Sequence, residues 1–361
     1  MEKSINPEMV IVARESRGMS QTDLADAIRV SQAKVSKYEN GLLEVSPEDL
    51  ENIASATGYT TEFFAQTAKV YGLGSSALFN RKQQTVPIGI QRRVQAHVNI
   101  LRMQIERLLR GAEIESDFSI EPIDIQSHDG DASAIARLVR AAWRIPTGPI
   151  KNMTSAIESA GGVVLLCDFD VAGIDAAHLW VSGLPPLFFM NSRVPGERHR
   201  FNLAHELGHA IMHRYPVGDI ETEANTFARE FLMPAREIEH HFDGLTVEKS
   251  IRLKPYWKVS MQAIIYHAKQ LKKITERQYR SLFTRLSEAG YRKNEPMPLP
   301  MEEPTIASQL VAIHRQTFGY SDADLAKLLF HREPDPSLLR LLEDKPATPL
   351  RLSGGTLRIA K

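Results

Sequence analysis

Within Arg198-His-Arg-Phe-Asn-Leu-Ala-His-Glu-Leu-Gly-His209, two histidines stand four residues apart with a glutamate directly after the first. On a helix, residues four apart share one face and lie about 6 Å apart along the axis. His205 and His209 can therefore hold one metal ion between them, with Glu206 beside it. In sites of this kind the imidazoles ligate zinc, zinc lowers the pKa of a coordinated water toward neutrality, and the intervening glutamate takes the proton. Ala204 and Leu207 are apolar neighbours suited to a buried helix face. Gly208 beside a ligand fits tight packing beneath the metal, at a cost in helix propensity. His213 continues the same face but would lie about 12 Å from His205 along a straight helix, too far to share a tetrahedral ion. It reads as a polar residue at the helix end.

A catalytic zinc site needs a third protein ligand and an open fourth position. Glu221 and Glu223 open the next helical segment, where Ala224, Phe227, Ala228, Phe231 and Leu232 supply apolar packing. Glu221 is the favoured ligand; Asn225 then falls on its face, able to hydrogen-bond a zinc histidine from behind. Glu223 is the alternative. Arg198, His199, Arg200, Tyr256 and His267 compete as stabilisers of a developing oxyanion.

Toward the amino terminus, residues 7–66 read as short helices. Ser20, Ser31 and Ser46 each sit at a helix start; Asp23 and Asp49 lie three after the first and last, and Pro47 takes a first helical position. Gly41 after Asn40 is a stop signal. Gln83 to Gly89 forms a joint, and residues 81–112 predict a basic linker helix. There Val94, Val98, Leu101, Ile105 and Leu108 make a seam of about two heptads. That seam can pair two chains or pack on the chain's own next domain. Toward the carboxyl terminus, helical patterns flank residues 145–149. Strand-like runs follow at Gly162–Cys167, Ala176–Val181 and Leu187–Met190. The remainder is mostly helical, with a proline-rich connector at Pro296–Pro304. A terminal hairpin around Gly354-Gly355 is expected in a helical tail over 300–361.

The 361 residues suggest two or three domains. A 43% hydrophobic share supports packed cores, and the 44 basic and 44 acidic residues cancel. Their distribution is uneven. Residues 1–70 hold seven Lys/Arg against eleven Asp/Glu, a net of −4, and residues 81–110 hold seven against one, a net of +6. The single cysteine, Cys167, has no internal disulfide partner and lies in an apolar run. No apolar stretch approaches the roughly 18 residues of a membrane span, and the amino terminus lacks the apolar core of a signal peptide. A cytoplasmic protein without a membrane partner is expected.

Residues 198–209, together with Glu221-Thr-Glu-Ala-Asn-Thr-Phe-Ala-Arg-Glu-Phe-Leu-Met-Pro234 and Leu253-Lys-Pro-Tyr-Trp-Lys-Val-Ser-Met261, resemble the ImmA/IrrE family of metallo-endopeptidases. The resemblance covers 130–290. It implies a zincin-like domain with a small sheet, zinc held by His205, His209 and Glu221, and Glu206 as general base. Members of that family often cleave a DNA-binding repressor, so a protein substrate of that kind is implied. Residues 18–41 resemble the Xre/Cro-type helix-turn-helix. That likeness implies a helix from Gln32 entering the major groove, with Gln32, Ala33, Lys34 and Lys37 toward bases and Gln21 and Asn40 toward phosphates. The net −4 of this domain runs against the basic footprint usual for DNA binding, and the +6 helix behind it is the candidate source of the missing charge. The fold expected is α+β, mainly α: a helix-turn-helix domain, a linker helix, a metallopeptidase domain and a helical carboxyl-terminal region. The function expected is a homodimeric DNA-binding regulator on a two-fold operator, with zinc-dependent endopeptidase activity. The alternatives are a regulator whose peptidase-like domain senses a ligand without proteolysis, and an antitoxin-like repressor.

Overall fold

The computed structural model describes residues 4–72, 86–169, 173–214, 218–333 and 356–359. The amino-terminal domain is built by its caps. Asn6 caps α1 (Pro7–Ser16), and Ser20 with Asp23 forms a reciprocal capping box at α2 (Gln21–Ala27). Ser31 caps α3 (Gln32–Glu39), and Ser46 caps α4 (Pro47–Thr57), which ends at Gly58 with φ +75°. Each such cap contributes about 1 kcal/mol by satisfying an orphan backbone N–H. The three serine-led helices stand where the sequence puts them, with α1 packed ahead of them. Met9, Leu24, Val35, Ile53, Phe63 and Phe64 close their core.

Helix α5 (Ile88–Leu108) has two apolar faces. Ala96, Ile100 and Met103 complete the core of the amino-terminal domain. The heptad seam Val94, Val98, Leu101, Ile105 and Leu108 is buried in a different core, shared with Val163, Leu165 and Phe189 of the central sheet. The seam is thus buried within the chain and is not an open surface for a second copy; of its two readings the structure takes the second, packing on the chain's own next domain. The basic charge of this helix is also partly spent. Arg102 is buried and paired with Glu106 at 2.9 Å, and the Arg107 guanidinium lies 4.4 Å above the Phe330 ring. The joint predicted at Gln83–Gly89 lies partly outside the described residues.

After β1 (Ala112–Glu115) come α6 (Ala132–Ala142) and α7 (Met153–Ser159), then β2 (Val163–Cys167), β3 (Ala176–Leu179) and β4 (Leu187–Asn191). The sheet order is β2-β4-β3, with β2 parallel and β3 antiparallel to β4. Side chains alternate between faces. Val164, Phe188 and Met190 share a core with Leu203 and Leu207, whereas Val163, Leu165 and Phe189 share one with α5 and the later helix that carries Leu310 and Val311. Covered on both faces, these strands read as nearly continuous apolar runs.

The helices α8 (Gly196–Met212), α9 (Ile220–Leu232), α10 (Ala235–Ile238), α11 (Val247–Trp257), α12 (Met261–Gln270) and α13 (Glu276–Glu288) finish the central domain. The proline-rich connector is tied down rather than loose. Glu302 accepts from Arg200 and from the Thr154 backbone N–H, and Glu295 accepts from the buried Lys254 Nζ at 3.0 Å. Beyond it lie α14 (Ile306–Gln316) and α15 (Asp322–Leu328). Phe330 then enters the amino-terminal core, its carbonyl accepting from Thr60 N–H at 2.8 Å. Finally β5 (Thr356–Ile359) pairs antiparallel with β1. The other arm of the expected hairpin lies outside the described residues. Among the described residues no helix is long and apolar enough to cross a membrane.

Two buried imidazoles in the central domain make its stability sensitive to acid. Burial lowers His199 from the ordinary 6.5 to about 4, and it lowers His267, bonded to the Met233 carbonyl, to about 4 as well. Both stay neutral in the fold while the unfolded chain protonates near 6.5, so stability is full above that value and falls as pH drops toward 4. Each should remove about 2 kcal/mol between about pH 7 and about pH 5. Urea unfolding followed by tryptophan fluorescence checks this, since Trp143, Trp180 and Trp257 all lie in this domain. His199→Gln should flatten part of the slope.

Candidate metal centre and DNA-facing helix

Helix α8 carries His205, Glu206 and His209, and α9 packs against it with Glu221 in its first turn. The close approach depends on Gly208. A Cβ there would lie 3.1 Å from the Phe227 ring, and Phe227 is fully buried. His205, His209 and Glu221 each offer one ligand atom, and these atoms all lie within 4.8 Å of one another. The two Nε2 atoms are 3.0 Å apart; Glu221 oxygens stand 3.5 Å from His205 Nε2 and 3.3 Å from His209 Nε2.

The donors fit a metal ion. Both Glu221 oxygens are cut off from solvent and have no hydrogen-bond partner among the described residues. Buried carboxylate oxygens left in that condition are costly unless a cation meets them. Two imidazole nitrogens and one carboxylate oxygen form a donor set that suits zinc. Burial works to raise the Glu221 carboxyl, yet the facing histidines overcome it and hold the group at about 2. Burial presses His209 down to about 4, which keeps its ring neutral and its lone pair available.

Glu206 points elsewhere. Its Oε2 accepts from His178 Nδ1 at 2.8 Å. Burial would raise the Glu206 carboxyl, but the His178 bond and the neighbouring imidazoles outweigh it and leave it below the usual range. His178 projects from β3, the edge strand of the sheet, and its ring lies 6.1 Å from that of His209 in a near-parallel stack. Nothing in the sequence around His178 announces it, since a histidine inside a short strand carries no spacing signal.

Behind the cluster the arrangement differs from expectation. Asn225 Nδ2 donates to the Glu221 carbonyl one turn back, so it braces its own helix and does not reach a histidine. His213 takes that place. Its Nδ1 lies 2.8 Å from His209 Nδ1, and its Nε2 lies 2.8 Å from Glu223 Oε2. Thus His213 stands behind the group formed by His205, His209 and Glu221, and it is more than a polar helix end. Of the oxyanion candidates, Arg198 pairs with Asp175, His199 meets Thr154, and His267 meets the Met233 carbonyl. Arg200 donates to the Ile150 and Lys258 carbonyls, and Tyr256 is exposed beside Trp257.

On the amino-terminal domain, Gln32, Ala33, Lys37 and Asn40 are exposed along α3. Gln32 Nε2 donates to Gln21 Oε1 at 2.7 Å, and Gln21 Nε2 donates to Glu39, which a buried Arg14 also holds. The two glutamine amides are thereby oriented as a pair. Lys34 Nζ is drawn to Asp49 at 2.8 Å, and Asp49 also accepts from Tyr38, so this lysine braces α3 against α4.

Residues 157–269 match the model of the peptidase family described as the IrrE N-terminal-like domain, and residues 12–64 match the helix-turn-helix model. The chain joins a helix-turn-helix domain to an IrrE-like domain. No curated protein matches it. The IrrE-like match spans β2 to α12 and so contains His178, all three metal-set residues and the His213–Glu223 pair.

The Gly208 contact gives a direct test. Gly208→Val should overpack Phe227, costing about 1–3 kcal/mol and moving Glu221 away from the histidines. Denaturant unfolding of the two chains measures the cost; an unchanged midpoint would show that α8 and α9 do not need this close approach.

Proposed function

We propose that the chain is a DNA-binding regulator whose IrrE-like domain is a zinc-dependent endopeptidase acting on a protein partner, a repressor being the class favoured by the resemblance. The observation that carries the proposal is the convergence of His205, His209 and Glu221, with the Glu206 carboxylate alongside but bonded away from them. Bound there, zinc would supply Lewis-acid activation of water and of the scissile carbonyl. The protein supplies the proton path. His178 fixes Glu206 through Oε2, so that Oε1 can take the proton of the attacking water and later pass it to the leaving amine. An extended peptide laid along the edge strand β3 would run past both residues.

Gln32, Ala33 and Lys37 are the side chains placed to read bases, and Gln21 and Asn40 to hold phosphates. A two-fold operator calls for two chains on one face of the duplex. With the α5 seam consumed internally, such a homodimer would pair through another surface. A regulator of this kind works in the cytoplasm, where DNA and a repressor are both at hand.

One observation favours a second reading, in which the domain senses a ligand. His205, Glu206 and His209 are only 7%, 3% and 1% exposed, a depth that suits an enclosed pocket as well as a cleft. Two experiments separate the readings. Metal analysis should find one zinc per chain, lost in Glu221→Ala and only weakened, not lost, in Glu223→Ala; the reverse pattern would exchange the ligand. Glu206→Gln should keep zinc and DNA binding while slowing partner cleavage by roughly 10²–10⁴. Blots for partner fragments, beside transcription of the controlled genes, decide the matter. Equal induction with no fragments from either chain would sink the peptidase and leave the sensor.

A further inference from the structure

The two hydrogen bonds behind His209 have a fixed direction. A carboxylate only accepts, so Glu223 Oε2 requires the proton on His213 Nε2, 2.8 Å away. A neutral ring protonated there has an accepting Nδ1. That atom faces His209 Nδ1 at 2.8 Å, so His209 must carry its own proton on Nδ1 and donate. Its Nε2 is left with a lone pair, and Nε2 is the atom that faces His205 and Glu221. One carboxylate thus sets two tautomers in series.

We propose that Glu223 and His213 form a positioning dyad that holds His209 in the Nδ1-protonated tautomer, aimed to ligate a divalent cation of the zinc type. The proposal rests on the metal reading given above. Neither residue's presence is explained by its helix alone. Acids in the first turn of α9 suit the helix dipole, but that accounts for a charge near the N-terminus, not for an oxygen directed onto a buried imidazole. His213 is the C-cap of α8 and 7% exposed, a place where an apolar residue would pack as well without needing a partner. The dyad also ties the end of α8 to the start of α9, so the two helices that contribute ligands are fixed at the point where the chain passes between them.

The informative variant is Glu223→Gln. Glutamine keeps the size and a hydrogen bond, but its amide can donate as well as accept, so the series loses its direction. In the metal-free full-length chain, long-range nitrogen–proton NMR of labelled histidines should show His209 protonated on Nδ1, and a mixture of tautomers in Glu223→Gln. Zinc affinity, measured by competition with a chromophoric chelator, should fall roughly 10–100-fold in Glu223→Gln and in His213→Asn. The double variant should be no weaker than the poorer single, because both act through one ring. Folding of each chain is checked by circular dichroism. Zinc bound equally well by wild type and Glu223→Gln, with the His209 tautomer unchanged, overturns the dyad while leaving the metal site standing. A wild-type chain that takes up no zinc overturns the metal reading and the dyad's purpose with it.

Discussion

Helix α5 is buried along two faces at once, and this double burial organises the molecule. Val98 and Ile105 lie in a core shared with the central sheet and α14, while Ile100 and Met103 lie inside the amino-terminal domain. Apolar burial of this order contributes roughly 1.5–3 kcal/mol per large side chain, so neither domain can give up the helix without losing much of its margin. The sheet's opposite face supports α8, which carries the histidine pair. A continuous packed path, α8 to the sheet, to the core that α5 shares with α14, to the amino-terminal core, therefore lies between His205, His209 and Glu221 and the helix-turn-helix. A helix with one free apolar face would have left the two domains as independent bodies.

The metal set itself depends on how closely two helices approach. Spacing along α8 puts two imidazoles on one face, but the carboxylate comes from another helix, and Gly208 beneath Phe227 lets that helix near enough. Once there, the Glu221 oxygens are enclosed with no donor among the described residues, and the electrostatics of the site are those of a place that suits positive charge. Glu206, one residue from His205, escapes the same fate because β3 offers it His178. Neighbouring carboxylates thus take different duties from their surroundings rather than from their own chemistry.

Local rules made a good part of this visible in advance. Capping serines announce the helices of the first domain because an N-cap bond is made within three residues. The four-residue step between His205 and His209 announces their shared helix face for the same reason. What depends on distant segments stayed hidden. The α5 seam was equally suited to a second chain or to its own, and only the folded sheet decides between them. His178 lies in a strand whose pattern reports burial, not chemistry. The position of His213 reads from sequence as a polar helix end; its bond through the back of His209 depends on where α9 begins. Asn225 shows the converse, a residue on the right face whose amide is satisfied within its own turn.

Phe330 has a consequence for how the protein is made. It belongs to the core of the first domain, packed on Phe63 with ring centroids 5.5 Å apart, and yet it follows that domain by most of the chain's length. Synthesis at about 5–20 residues per second leaves tens of seconds during which the helix-turn-helix helices exist on the ribosome without this ring. The domain made first is thus completed last, so a truncated or stalled chain presents DNA with an unfinished reader.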